Sequence, residues 1–177
     1  MASAQKILRP ERPPLSASAL FITQTQTVNF PAWAKRAKVT IVDGGYSSAT
    51  ATGGIPNTGK GGDSSISWID LVPSVPYVVT VGAGGVGPIG PSNSPSVAGG
   101  FSSIQGRNQA ALTSANGLIR VPGGNPVTNG NGAQSGASIL GMGAYNTPGG
   151  YGSGGYSPSA NANGINGIQG CVLIELL

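Results

Sequence analysis

The 177-residue sequence predicts an all-β protein, an antiparallel β-sandwich or barrel-like core with long glycine-rich loops and an extended N-terminal arm. Three observations predict it. Short runs rich in Val, Ile, Thr and Phe recur between turn residues. No stretch of useful length carries the 3.6-residue apolar period of a helix, residues 107–115 showing only a weak one. The chain holds 31 Gly and 14 Pro but only 8% charged residues; glycine is at more than twice its usual share of about 7%, and charge at about a third of the usual 25%. Each glycine costs roughly 0.5–1 kcal/mol relative to alanine in regular structure. Compensation must come from strand pairing, from backbone packing that only glycine permits, or from oligomerisation; glycine-rich segments can also pack side by side as left-handed extended helices, in the polyglycine II manner.

The elements follow in chain order. Residues 1–18 read as an extended arm, because Pro10, Pro13 and Pro14 stand among Lys6, Arg9, Glu11 and Arg12, a composition that favours neither helix nor core. Residues 19–177 read as one glycine-rich β domain. "LFITQTQTVNF" (20–30) suits a strand, and "AKVTIVDGG" (37–45) a second, stopped by Asp43 and two glycines. "SSISWIDLV" (64–72) and "YVVTVG" (77–82) are separated by Pro73 and Pro76, which predicts a reversal. Shorter strands are expected at "GFSSIQ", "QAALT" and "GLIRV". Residues 123–170 carry no charged residue and read as a glycine-rich loop region whose glycines follow no regular repeat. The terminal strand 171–177, "CVLIELL", closes it and ties down its far end.

Two nucleotide-binding signatures fail on their physical requirements. Gly82, Gly84 and Gly87 have the GxGxxG spacing, but Pro88, Pro91 and Pro95 prevent the helix whose N-terminus would hold a pyrophosphate. The carboxylate expected about 20 residues later is missing, since none stands between Asp70 and Glu175. "GIPNTGKG" (54–61) has P-loop spacing through Gly59 and Lys60, yet Gly61 takes the place of the magnesium-binding hydroxyl and Pro56 interrupts the loop. No cofactor is expected.

Six of the nine basic residues behind the net charge of +4 stand in two clusters, Lys6, Arg9 and Arg12, then Lys35, Arg36 and Lys38, neither interleaved with aromatics as nucleic-acid surfaces are. The first cluster fits an arm that docks on a partner. No run of 18 apolar residues is present, and the N-terminus lacks an apolar segment of signal-peptide length, so synthesis in a cytoplasm without such a signal is expected. The single Cys171 excludes an internal disulfide framework. The absence of His removes the usual activator of a nucleophile. The carboxylates available for glycan cleavage are Asp43, Asp63 and Asp70, and the first two adjoin glycines, where turn roles are the simpler reading. The same scarcity leaves no expected metal site.

Taken in order, "TQTVNFPAW", "AKVTIVDGG", "GKGGDSS", "VPSVPYVVTVGAGG", "AGGFSSI" and "GCVLIELL" resemble the glycine-rich domain of tailed-bacteriophage tail-fibre and tail-tip proteins, over roughly residues 20–177. The first glycine stretch, "GGYSSATATGGIPNTGKGG", is diluted with Ser, Thr and Ala where that family carries longer glycine runs. The resemblance implies a non-enzymatic virion protein that binds a host-surface glycan or outer-membrane protein during adsorption, with a purely structural baseplate, connector or decoration subunit as the alternative. Lys6, Arg9 and Arg12 are then candidate virion-anchoring residues on other tail or baseplate proteins. Tyr145, Tyr151 and Tyr156 are candidate receptor contacts, since tyrosine offers a rigid apolar face with a hydroxyl; packing between loops is the competing role. A homo-oligomer, with a trimer favoured, is expected.

Overall fold

The computed structural model describes residues 18–49, 57–89, 95–121, 151–157 and 163–177. Among these the fold is all-β and antiparallel, in two sheets facing each other, with no closed barrel. The first sheet has the order β1-β11-β3-β5-β9, from Ala19–Ile22, Cys171–Leu176, Arg36–Val42, Ser64–Asp70 and Ile119–Val121. The second has the order β2-β6-β7-β8, from Gln26–Asn29, Pro76–Thr80, Ser103–Gly106 and Leu112–Thr113. A two-stranded ladder joins β4 (Asn57–Thr58) to β10 (Tyr156–Ser157). The weak helical period at 107–115 yields a turn at Arg107–Asn108, strand β8 and one 3-10 turn at Ser114–Asn116. No helix among the described residues is long and apolar enough to cross a membrane.

Period-two alternation sets the core. Ala37, Val39 and Ile41 of β3, with Val172, Ile174 and Leu176 of β11, point inward against Tyr77 and Val79 of β6 and Ile104 of β7. The Phe30 and Tyr77 rings meet edge to face at 5.0 Å, and the buried Tyr77 hydroxyl accepts the Val72 amide at 3.0 Å. Burying each such side chain stabilises the fold by about 1.5–3 kcal/mol.

Two expectations are corrected in detail. The stretch 20–30 is two strands rather than one: β1 pairs with β11 in the first sheet, and β2 pairs with β6 in the second. Its uncharged polar middle lets the chain cross over, since Thr23 O accepts from Gln169 and Thr25 Oγ1 accepts the Val81 amide. The turn at Pro73 and Ser74 is present, with Ser74 at φ 63°. It joins β5 of one sheet to β6 of the other, so the expected reversal is a crossing between sheets and not a hairpin.

Candidate functional site

Beyond β3 the backbone stops forming a sheet, and six extended segments run alongside one another. They are rod 1 (43–48), rod 2 (59–63), rod 3 (82–89), rod 4 (95–102), rod 5 (151–155) and rod 6 (163–170). The amides of rod 1 reveal their geometry. Asp43, Gly44 and Gly45 donate in turn to Asp63 O of rod 2, Gly100 O of rod 4 and Ile168 O of rod 6. Tyr46, Ser47 and Ser48 then repeat the cycle, onto Lys60 O, Val97 O and Ile165 O. A donor direction that returns every three residues is the period of a left-handed polyproline-type helix, which makes no internal hydrogen bonds. Its buried amides must therefore be satisfied by neighbours, and here they are.

Rod 1 is the axis of the bundle. Its carbonyls at Gly45 and Tyr46 accept from Gly85 of rod 3 and Gly155 of rod 5. Rod 5 also bonds to rods 2 and 6, and rod 3 to rods 4 and 6, so the neighbours run 2-5-6-3-4 around the axis. Between rods 2 and 4 side chains stand instead. Buried Asp43 accepts the Ser102 amide at 2.7 Å and the Ser114 hydroxyl, and Lys60 sits 5.7 Å from the centre of the Tyr46 ring while pairing with Asp63 at 3.0 Å. Burial pushes the Asp43 carboxyl above its ordinary value despite the two hydrogen bonds.

The need for glycine follows from rod spacing. A Cβ on Gly84 would lie 1.9 Å from Gly167 O, and one on Gly44 2.0 Å from Ala83 O. Gly82, Gly84 and Gly87, the GxGxxG residues, thus lie against protein backbone: the Gly82 amide donates to Ser102 Oγ and the Gly87 amide to Asn166 Oδ1. In the P-loop-like stretch, the Gly59 amide donates to Gly155 O. Rod 6 corrects the reading of 123–170 as free of any repeat, because "GINGIQG" (164–170) places glycine every third residue. That triplet keeps the Cβ-free side of a three-residue helix on its neighbours, and it was the available signal for a rod.

Rods 1 and 2, 3 and 4, and 5 and 6 form three out-and-back pairs. Rods 1 and 3 leave a sheet strand at the near end and rods 2, 4 and 6 run into one there, where Gly170 donates to Gly82 O and Asp43 to Asp63 O. Each pair turns back at the far end, where Ser48 meets Ile165, Gly164 meets Pro88, and β4 pairs with β10. The described residues 49 and 57, 89 and 95, and 157 and 163 stand at that end. The far end, opposite the sandwich, is the candidate site.

The tyrosines are not gathered into one place. Tyr156 lies at the far end, in register with Thr58. Tyr151 lies at the near end, in the turn that leads into the same rod, where Gly152 has φ 71°. Its ring meets Phe21 edge to face at 5.2 Å and packs on Val42 and Cys171. Tyr145, Lys6, Arg9 and Arg12 lie outside the described residues. Asp43 and Asp63 adjoin at the near end of the bundle, whereas Asp70 stands at the other end of β5 beside Arg36, 3.9 Å away. Among the described residues no three His, Cys, Asp or Glu side chains gather to hold a metal ion. Buried Cys171 has its thiol pushed up to about 12 by burial. Comparison of the chain with known protein families and with characterised proteins finds no match.

Proposed function

We propose that the chain is a non-enzymatic tail-fibre or tail-tip protein of a tailed bacteriophage, and that it binds a receptor on the host surface during adsorption. One observation carries the reading: three backbone-bonded pairs of glycine rods all turn back at one end, remote from the sandwich. Such a bundle holds its far end on a support whose amides are satisfied internally, as a presented binding surface requires. The ordered series of strand and glycine motifs adds the family resemblance. The arm with Lys6, Arg9 and Arg12 serves as the virion attachment, and Tyr156 is the receptor-contact candidate best placed by its position.

The test is adsorption. Purified chain at saturating concentration is expected to coat host cells and block phage attachment; no effect on attachment overturns the receptor reading. Release of reducing sugar from host polysaccharide would overturn the non-enzymatic one. A second reading, a purely structural virion subunit, is favoured by the uncharged outer side of rods 3 and 4, which suits burial between subunits. It predicts a chain present in purified virions that leaves adsorption untouched.

A further inference from the structure

Charge is distributed unevenly over the two layers. The outer face of the first sheet carries the Lys38–Glu175 and Arg36–Asp70 pairs, and rod 2 carries Lys60 and Asp63. The second sheet continues into rods 3 and 4, and no charged residue occurs anywhere in residues 71–106. On the outer side of β6 and its partners stand Thr27, Val78 and Gln105, in one cross-strand row. Past them the three-residue period turns every third side chain of each rod outward. On rod 3 these are Ala83, Val86 and Ile89, and on rod 4 Pro95, Ala98 and Phe101, all exposed and all apolar, with Ser96 and Val97 of rod 4 exposed beside them. Val86 is 67% exposed, Ile89 86% and Phe101 72%. Glycines fill most of the positions between them on rod 3, and Gly99 and Gly100 two on rod 4, and the three-residue period spaces the ridges about 9 Å apart along each rod.

We propose that this wall is the interface between two copies of the chain, packed face to face about a twofold axis parallel to the rods. The occupant is argued from the wall's self-complementarity. Gly100 donates to Ala83 O, which puts Phe101 level with Ala83, and the close approach of Gly85 to Val97 puts Ala98 level with Val86. A parallel twofold axis between the rods lays rod 3 of one copy on rod 4 of the other. Phe101 then meets Ala83 and Val86 meets Ala98, a bulky side chain against a small one at each level. Ile89 meets the compact ring of Pro95. A closed, isologous interface of this kind needs the same patch on both partners and no charge to desolvate.

The size suffices. From Pro76 to Ile89 the wall is about 45 Å long at ~3.4 Å per strand residue and ~3.1 Å per rod residue. Two to four chains wide at about 4.8 Å, it offers roughly 600 Å² on each copy, the lower end of specific interfaces. That extent matches the largest exposed patch of a typical monomer, about 300–600 Å², which is often functional. The arrangement points both far ends the same way, so it is compatible with receptor binding there without depending on it.

Sedimentation of the full chain is expected to give the mass of a dimer. Val86→Asp and Phe101→Ser, both outward-facing, are expected to weaken self-association at least tenfold while leaving the melting temperature of the monomer unchanged. Ile119→Asp, exposed on the other layer, is expected to leave the dimer intact. Val86→Cys combined with Ala98→Cys is expected to oxidise to a covalent dimer, which neither change produces alone. A monomer or trimer mass for the unaltered chain, or a dimer indifferent to Val86→Asp, overturns the proposal. Neither result touches the adsorption reading, which is decided on host cells.

Discussion

The carboxylate of Asp43 accepts the backbone amide of Ser102 at 2.7 Å, 59 residues away in sequence, where both leave the sandwich for the bundle. Ser102 in turn donates its hydroxyl to Val42 O at 2.7 Å and accepts the Gly82 amide at 3.0 Å. One buried polar junction therefore ties rods 1, 3 and 4 together at the point where both sheets end.

Removing the carboxyl tests that junction. Asp43→Ala leaves the Ser102 amide and Ser114 hydroxyl without their acceptor, at a cost of about 1–3 kcal/mol. Thermal unfolding is expected to drop by about 2–4 °C for each kcal/mol lost in a chain of this size. Asp43→Asn keeps an acceptor for Ser102 and should lose much less.

The same residue sets a pH dependence. Its carboxyl is raised in the folded protein, so the native state holds the proton more tightly than the unfolded chain does. Its contribution to stability is full below the unfolded value of about 4 and is lost as pH climbs through the higher folded value. Denaturation across this window should show stability falling with rising pH in the native chain, and Asp43→Asn should remove that part of the slope.

Rod spacing predicts a graded response to alanine. Gly84→Ala sets a Cβ 1.9 Å from the Gly167 carbonyl, and backbone cannot yield cheaply, so a loss of about 3 kcal/mol or more is expected. At Gly100 the nearest atom to an added Cβ is the Ala83 amide nitrogen at 3.1 Å. Gly100→Ala should therefore melt well above Gly84→Ala.

Tyr151 separates packing from recognition. Its edge-to-face pair with Phe21 contributes about 0.5–1.5 kcal/mol beyond the area buried. Tyr151→Phe should melt like the native chain and Tyr151→Ala clearly below it. If Tyr151 only packs, folded Tyr151→Phe will block adsorption as well as the native chain does.

Cys171 provides a reporter of opening. With its thiol pushed up to about 12, alkylation at pH 8 should be slow in the folded chain. Full unfolding restores an ordinary thiol near 8.5, and the labelling rate should rise on the order of a thousandfold. Substitutions that loosen the join of β11 to β3, where Cys171 faces Val42, should raise the native rate first.

Much of this was legible in the residues. "AKVTIVDGG" and "CVLIELL" alternate as strands with one buried face, and they pair in register as Cys171 with Val42 through Leu176 with Ala37. The sandwich class follows from such local patterns, because a period of two fixes which side chains turn inward whatever the partner strand. The glycine content required unusual backbone packing, and "GINGIQG" even carries its period.

Which strands pair was settled elsewhere. Nothing in "LFITQTQTVNF" says that its halves belong to different sheets, and nothing around Pro73 says that β5 and β6 never pair, since both outcomes satisfy the same local propensities. The rods are more extreme. A polyproline-type helix makes no hydrogen bond to itself, so no rod exists until the others stand around it. The sequence by itself determined the strands, their buried faces and the abundance of glycine. Tertiary structure alone decided that Asp43, Gly44 and Gly45 would bond to three different neighbours, because a three-residue helix aims its donors outward and only the assembled bundle supplies the acceptors.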